Sequence, residues 1–238
     1  MTALVDGSYE SVGSAVIRRT MVRRVLLTCG IVSSLIWLGT DLIASLLSEG
    51  YSYPFQPISG LTATGAPSRP FVVALDYVYP VLKIAFAAGI WMSAGQKRSL
   101  RITAVLLFAW GIIDLVASFF PLNPAEALGS FANIMHAILA GGAAVILMML
   151  AMGFGASTDG TWFRWYSYGT LLVMIFAGLV MAFVNSTPLE ANLPPAWFGL
   201  TERINTYGYM IWMLVLAIIL LSAQPDNLGF EDKLESTK

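Results

Sequence analysis

Six long stretches of the chain are too apolar for a soluble protein, and they constrain the fold more than any other feature of the sequence. Each runs between charged residues or Pro- and Gly-rich breaks. The hydrocarbon core of a bilayer is about 30 Å thick, so a helix that crosses it needs roughly 20 apolar residues. The sequence therefore predicts six spanning helices, near residues 25–48, 71–94, 102–121, 130–153, 165–185 and 202–223.

The composition excludes several classes of protein. Hydrophobic residues make up 57% of the 238 residues and charged residues 11%, whereas a soluble domain carries about 25% charged residues. The net charge of -1, without a basic stripe, argues against a nucleic-acid partner. One cysteine, Cys29, and one histidine, His136, give neither an internal disulfide nor a histidine-rich metal site. We expect no cofactor, no bound metal, and membrane lipids as partners; the oligomeric state stays open.

Lysine and arginine predict the orientation, because these residues stay on the cytoplasmic side of short loops. With the N-terminus inside, the outer segments hold only Arg69 and Arg203, and Lys83 lies within the second span. The inner segments hold ten cations: Arg18, Arg19, Arg23, Arg24, Lys97, Arg98, Arg101, Arg164, Lys233 and Lys238. We therefore predict an all-α, multi-pass protein of a cell membrane, a six-transmembrane-helix bundle with both termini cytoplasmic.

One membrane domain accounts for most of the chain. We place it at residues 24–223, between a cytoplasmic N-terminal tail, 1–23, and a cytoplasmic C-terminal tail, 224–238. Both tails are polar, and chain ends of this kind are usually mobile.

Within the fourth span, Ala137 and Gly141 have the spacing of small residues that lets two helices approach closely.

Charged and amide side chains inside the spans are the candidate site residues. A charge at the centre of a spanning helix costs about 2.5 to 3.5 kcal/mol on insertion, so it usually faces other helices or a wet cavity. With the predicted topology, these side chains lie in the outer half of the bundle or near its midplane. We predict that they line a polar pocket that binds ligand: Asp41, Asp76, Lys83, Asp114, Asn133, His136, Glu202, Arg203 and Asn205.

Helical spacing adds detail to the second span. Asp76, Tyr79, Pro80 and Lys83 share one face, because residues three, four and seven apart align on a helix. Pro80 has no amide proton, which leaves the carbonyl of Asp76 free to accept a hydrogen bond from elsewhere. Three aspartates, Asp41, Asp76 and Asp114, could be balanced by three bases, Lys83, Arg203 and His136.

Several interpretations of these charges remain open. They could be ion pairs that fix helix packing, or an incompletely paired pocket that binds or transports a small polar or amphiphilic ligand, with or without proton coupling. An intramembrane lipid-acting enzyme, with His136 as general base and an aspartate orienting it, is an alternative. A non-catalytic assembly subunit is another. A metal held by His136 and the three aspartates is chemically possible but less favoured. A Ser/His/Asp hydrolase is also less favoured, because no nucleophile elbow is present.

Short segments in order along the chain resemble one family. They are Ser48-Glu49, Gly65-Ala66-Pro67-Ser68-Arg69-Pro70, Gly111, Phe120-Pro121, His136, Gly199-Leu200-Thr201-Glu202-Arg203 and Trp212. The chain is similar here, from Arg24 to Ala223, to the six-helix bacterial and archaeal membrane proteins of domain of unknown function 998. The resemblance implies the fold and the placement of the spans, and no activity. Asp114 stands where it implies a small or apolar residue, and Lys83 lies outside its pattern.

Overall fold

The computed structural model describes the backbone of residues 2–186 and 197–223, and the side chains of residues 13–182 and 197–223. Its helices are α1 (Thr2–Leu47), α2 (Ser59–Thr62), α3 (Arg69–Ser93), α4 (Arg98–Ala117), α5 (Phe131–His136), α6 (Ala144–Gly155), α7 (Thr161–Ser186) and α8 (Phe198–Ser222). A π-helical segment, Ala137–Ala143, joins α5 to α6. The C-terminal tail, 224–238, lies outside the described residues.

Six helical stretches in the described part of the chain are long and apolar enough to cross a membrane. They are Gly13–Leu47, Arg69–Ser93, Arg98–Ala117, Phe131–Gly155, Thr161–Ala182 and Phe198–Ser222. The prediction of an all-α protein with six spanning helices is confirmed, and the part of the chain that the structure describes contains no strand.

Helix α1 begins much earlier than the predicted start of the first span at residue 25. It runs from Thr2 to Leu47, because the chain has no proline before Pro54 to remove a helical hydrogen bond. The backbone bonds of a helix do not require apolar side chains, so the polar residues before residue 25 continue the helix. Gly50, which has a φ of +76°, follows its end, and such a left-handed residue is a common stop after a helix.

The spanning helices form a ring in chain order. Helix α1 packs against α3, α3 against α4, α4 against α6, α6 against α7 and α7 against α8, while α8 returns to pack against α1. The largest buried side chains at the centre of this ring are Trp212, Tyr209, Lys83, Phe86 and Phe163. A lysine is thus buried among aromatic residues, and it needs a partner there.

Two glycines explain the tight packing of α1 on α3. A Cβ on Gly30 would lie 2.6 Å from the ring of Phe86, and one on Gly89 would lie 2.9 Å from the backbone nitrogen of Leu27. Because lipid tails are as apolar as the helices, close van der Waals contact of this kind drives helix association in a membrane.

The fourth span contains the π-helical turn that the sequence did not predict. Ala137 and Gly141, whose spacing predicts a close helix contact, both lie in this segment and are exposed. A Cβ on Gly141 would meet no atom within 4 Å. The prediction of a close contact at these two residues is therefore wrong within the described chain.

Two ends of the bundle can be distinguished by their connections. At what we call the loop end, residues 48–68 and 118–130 meet, and the amide of Thr64 donates to the carbonyl of Leu122 over 2.8 Å. At the opposite, arginine end, Nη1 of Arg23 donates to the carbonyl of Leu220 over 3.2 Å. The candidate site lies towards the loop end.

Candidate ligand-binding site

A recess lies between α1, α2 and α3 at the loop end. It encloses about 320 Å³ of space free of atoms, a volume that includes the part open to the surroundings. We call it the α1–α3 recess. Its lining residues are Trp37, Thr40, Asp41, Ala44, Ile58, Leu61, Thr62, Val72, Asp76 and Tyr79.

Asp41, one of the two acids in this lining, is fully engaged by α8. Arg203 donates to it twice, from Nε to Oδ2 and from Nη2 to Oδ1, each over 2.9 Å. The hydroxyl of Tyr207 donates to Oδ2 over 2.7 Å. Both charged side chains are buried, with 1% of Asp41 and 2% of Arg203 exposed. This bidentate geometry is the strong form of a carboxylate–guanidinium pair.

Arg203 also holds the connection between α1 and α2. Its Nη1 donates to the carbonyl of Tyr53 over 2.6 Å, and its Nη2 donates to the hydroxyl of Tyr51 over 3.0 Å. The guanidinium lies 3.6 Å from the centre of the Tyr53 ring, within the range of a cation–π interaction. Burial raises the pKa of the Tyr51 hydroxyl, so this group stays protonated at neutral pH and donates to the carbonyls of Gln56 and Pro57.

Two neighbours of Arg203 strengthen this attachment. Oε2 of Glu202 accepts a hydrogen bond of 2.7 Å from the amide of Ile58. Gly199 lets the loop come close, since a Cβ there would lie 2.6 Å from the carbonyl oxygen of Tyr53. The first turn of α8 therefore fixes the segment that leads into α2 and so one wall of the recess.

Lys83 and Asp114 form a second ion pair between α3 and α4. Lys83 is completely buried, and its Nζ is paired with Oδ2 of Asp114. The other oxygen, Oδ1, accepts a hydrogen bond of 2.7 Å from Nε1 of Trp110. Nζ also lies 3.4 Å from the centre of the Trp110 ring. Two of the predicted charge balances are thus formed, each between different helices.

Asp76 differs from the other two aspartates. It is half-buried and lines the recess, yet its carboxylate has no hydrogen bond or ion pair with any side chain that the structure describes. Its backbone carbonyl, which Pro80 leaves free, does have a partner: Oγ of Ser118 lies 3.1 Å away. The expected effect of Pro80, a carbonyl left free to accept a hydrogen bond from elsewhere, is confirmed by this contact.

His136 and Asn133 lie apart from these charges. Nδ1 of His136 is 3.0 Å from the carbonyl oxygen of Phe120, and Asn133 binds the backbone of Asn123 and Ala127. The predicted balance of His136 with an aspartate is not formed within the described residues. The enzyme hypothesis needs an aspartate that orients His136, and the contacts give it a backbone carbonyl instead.

Asn205, the last of the predicted site residues, faces α7. Gly178 of α7 is so close that a Cβ built on it would lie 3.9 Å from Nδ2 of Asn205. The Oδ1 atom of Asn205 is buried without a hydrogen-bond partner in the described chain. It does not line the recess. In residues 2–186 and 197–223, no cluster of three or more His, Cys, Asp or Glu is placed to hold a metal ion.

A protein-family model matches residues 31–219, which are most of the chain. The chain belongs to the family described as "Protein of unknown function (DUF998)". No curated protein and no solved structure gives a significant match. The DUF998 region includes every predicted site residue, from Asp41 to Asn205.

The segments that carry the resemblance to DUF998 contact one another in space. Oγ of Ser48 donates to Oγ of Ser68 over 3.0 Å, which joins the end of α1 to the start of α3. The contact of His136 with Phe120 joins two further segments. The motif around Arg203 supplies the loop attachment described above. In this DUF998 protein, those residues therefore hold together the loop end of the fold.

The contacts of Tyr51 and Tyr53 with Arg203 are the part of the site that the sequence did not predict. Tyr51 and Tyr53 have the position of interface anchors in the sequence, but the structure places them against Arg203. Trp37 and Tyr79 line the recess. The available signal is that cations buried in a bilayer need partners, and aromatic rings close in sequence to such cations can supply them.

Proposed function

We propose that this DUF998 protein binds or transports a small polar or amphiphilic ligand in the α1–α3 recess. The observation that carries the proposal is the free carboxylate of Asp76 in the recess lining. Asp41 and Asp114 are each neutralised by a cation of the protein. An intramembrane acid without a partner is a functional candidate by default, since its burial is costly unless a ligand, a proton or water completes it.

The mixed lining of the recess suits such a ligand. Leu61, Val72 and Ala44 offer apolar surface, while Asp76 and Thr40 offer polar groups. Ligand sites commonly combine an apolar wall with a few polar groups that fix orientation. Protonation of Asp76 when the site is empty would make ligand exchange proton-linked, because the same carboxylate would bind a proton or a ligand.

The two ion pairs have a different role in this proposal. Each joins two helices, Asp41 of α1 to Arg203 of α8 and Lys83 of α3 to Asp114 of α4, and each uses up the polar atoms of its acid. We assign them to helix packing and to fixing the walls of the recess. Paired charges can specify a unique arrangement of helices even where they add little stability.

Orientation completes the proposal. The described cations Arg18, Arg19, Arg23, Arg24, Lys97, Arg98, Arg101 and Arg164 belong to the arginine end, which the positive-inside rule places in the cytoplasm. The recess then opens towards the outside of the cell membrane. Ligand would reach it past the segment 48–62.

Cysteine accessibility tests this proposal directly. Cys29 is the only cysteine, so a Cys29→Ser background allows a single Thr40→Cys probe in the recess lining. In proteoliposomes, a small neutral methanethiosulfonate added from the loop end should modify Thr40→Cys. Thr103→Cys is the matched control, because Thr103 is completely buried and does not line the recess; it should not react. If Thr40→Cys were as unreactive as Thr103→Cys, the recess would not be accessible and the proposal would be contradicted.

A further inference from the structure

We infer that the recess selects a small organic cation, an ammonium-type group with a short apolar body, and that Asp76 is its counter-ion. This inference rests on the proposed function and names the ligand class for the same site. It follows from the charge around the recess, from the chemistry of its walls and from the way in which this protein already binds its own cations.

Counted by formal charge, the described acids near the recess outnumber the described bases by one. Four acids lie within or beside it, Asp41, Asp76, Asp114 and Glu202, against three bases, Lys83, Arg69 and Arg203. Two of these bases are committed to Asp41 and Asp114. The third, Arg69, donates to the backbone carbonyl of Thr62 over 2.5 Å, and its attraction to Asp76 acts at a distance, without a hydrogen bond or an ion pair in the described chain. A cation would complete the balance, whereas an anion would double the imbalance.

The walls beside Asp76 suit an organic cation in particular. Trp37 of α1 and Tyr79 of α3 both line the recess, and aromatic faces attract ammonium groups. The apolar residues Leu61 and Val72 can contact a short hydrocarbon body. The protein places its own buried cations over aromatic faces, with Lys83 over Trp110 at 3.4 Å and Arg203 over Tyr53 at 3.6 Å.

A divalent metal ion fits the recess less well. Calcium takes six to eight oxygen ligands and magnesium requires an octahedral set. Asp41 already accepts hydrogen bonds from Arg203 and Tyr207, so Asp76 is the one uncommitted carboxylate in the lining. One carboxylate beside aromatic and aliphatic walls is the donor set of an ammonium site rather than of a metal site.

The test measures charge selectivity at the Thr40→Cys probe. Two methanethiosulfonates of similar size, one cationic and one anionic, are compared by their modification rates in proteoliposomes of neutral lipid. We expect the cationic reagent to react at least about tenfold faster, since a cleft lined by one sign of charge raises the rate for the opposite sign by 10-fold or more. Thr64→Cys, an exposed position in the same connection, corrects for intrinsic reactivity and surface potential.

Two substitutions of Asp76 make the result specific. The measured quantity is the modification rate with the cationic reagent divided by the rate with the anionic reagent. Asp76→Asn should lower this ratio at Thr40→Cys to its value at Thr64→Cys, and Asp76→Glu should keep it high. Butylammonium should slow modification in the wild-type background, whereas butanol and butyrate should not, and Asp76→Asn should abolish the protection. Circular dichroism and gel filtration of each variant confirm folding.

The outcomes separate this inference from the proposed function. Two outcomes would contradict the selection of a cation while leaving an accessible recess. One is modification of Thr40→Cys at equal rates by both reagents, and the other is an equal slowing of that modification by the three butyl compounds. A high ratio that survives Asp76→Asn overturns the role of Asp76. Failure of every reagent at Thr40→Cys, with normal reaction at Thr64→Cys, overturns the recess as a site and the inference with it.

Discussion

Arg203 of α8 donates two parallel hydrogen bonds, each of 2.9 Å, to the two carboxylate oxygens of Asp41 on α1. The same guanidinium donates to the carbonyl of Tyr53 and the hydroxyl of Tyr51. One side chain therefore joins the first and last spans of the ring to the connection that leads into α2. Only the planar fork of an arginine can supply donors in this arrangement.

Arg203→Lys should loosen the connection while leaving the bundle intact. Lysine keeps the charge near Asp41, but it cannot form the bidentate pair and also reach the loop. We expect faster amide hydrogen exchange, by about tenfold, in residues 51–58, with little change in the central helices. Arg101→Lys, at the exposed arginine end, is the control and should leave these rates as they are. Unchanged exchange in Arg203→Lys would contradict the attachment.

Gly199→Ala tests the close approach of the same connection to α8. The new methyl group would lie 2.6 Å from the carbonyl oxygen of Tyr53, so the backbone must move apart. We expect a loss of about 1 to 3 kcal/mol in the free energy of unfolding, as for overpacked sites elsewhere. Gly153→Ala is the control, because a Cβ there meets nothing within 4 Å. Similar stability of both variants would show that the loop is not in close contact.

Ser118 and Pro80 should be energetically coupled. Pro80 offers no amide proton to the carbonyl of Asp76, and Oγ of Ser118 lies 3.1 Å from that oxygen and 3.0 Å from the carbonyl oxygen of Asp114, so the two carbonyls share one hydroxyl proton. Ser118→Ala should cost about 0.5 to 1.5 kcal/mol of unfolding free energy. In a Pro80→Ala background, the new amide can serve that carbonyl, so the same substitution should cost less. A double-mutant cycle with additive effects would contradict this compensation.

Lys83 and Asp114 should be costly to separate and much less costly to remove together. Lys83→Met leaves a buried carboxylate without its cation, which typically costs about 3 to 5 kcal/mol. The double variant Lys83→Met/Asp114→Leu removes both charges and should recover most of the loss. The free energy of unfolding of the wild type, Lys83→Met and the double variant is measured by equilibrium unfolding, with all three proteins in bicelles of the same composition. A double variant that is less stable than Lys83→Met would show that the pair itself supplies the stability.

The sequence predicts the spans well because the bilayer imposes a length and an apolar composition on each helix. It predicts which residues carry charge into the membrane for the same reason. Helix α1 is longer than expected because polar residues such as Arg19 can continue a helix beyond the apolar stretch. The π-helical turn at Ala137–Ala143 was missed because a helical period does not reveal one inserted residue.

Pairing between helices was harder to predict than the presence of the charges. Spacing along α3 placed Asp76 and Lys83 on one face, but it could not show that Lys83 meets Asp114 while Asp76 has no partner. That choice depends on the rotation of α3 against α4, which the close contact at Gly111 helps to set: a Cβ there would lie 3.2 Å from the carbonyl oxygen of Pro80. Likewise, His136 reaches Phe120 because of the path of residues 118–130.

The contrast between Asp76 and Asp114 is the central claim, and the free energies of unfolding of Asp76→Asn and Asp114→Asn, in the same bicelles, test it most directly. Asp114→Asn strands the buried Lys83 ammonium and should lose about 3 kcal/mol or more. Asp76→Asn removes a charge that has no hydrogen bond or ion pair in the described chain and is attracted by Arg69 only at a distance, so its stability should stay within about 0.5 kcal/mol of the wild type or rise. Equal losses in the two variants would mean that Asp76 is paired in the folded protein, and would contradict its assignment to a ligand.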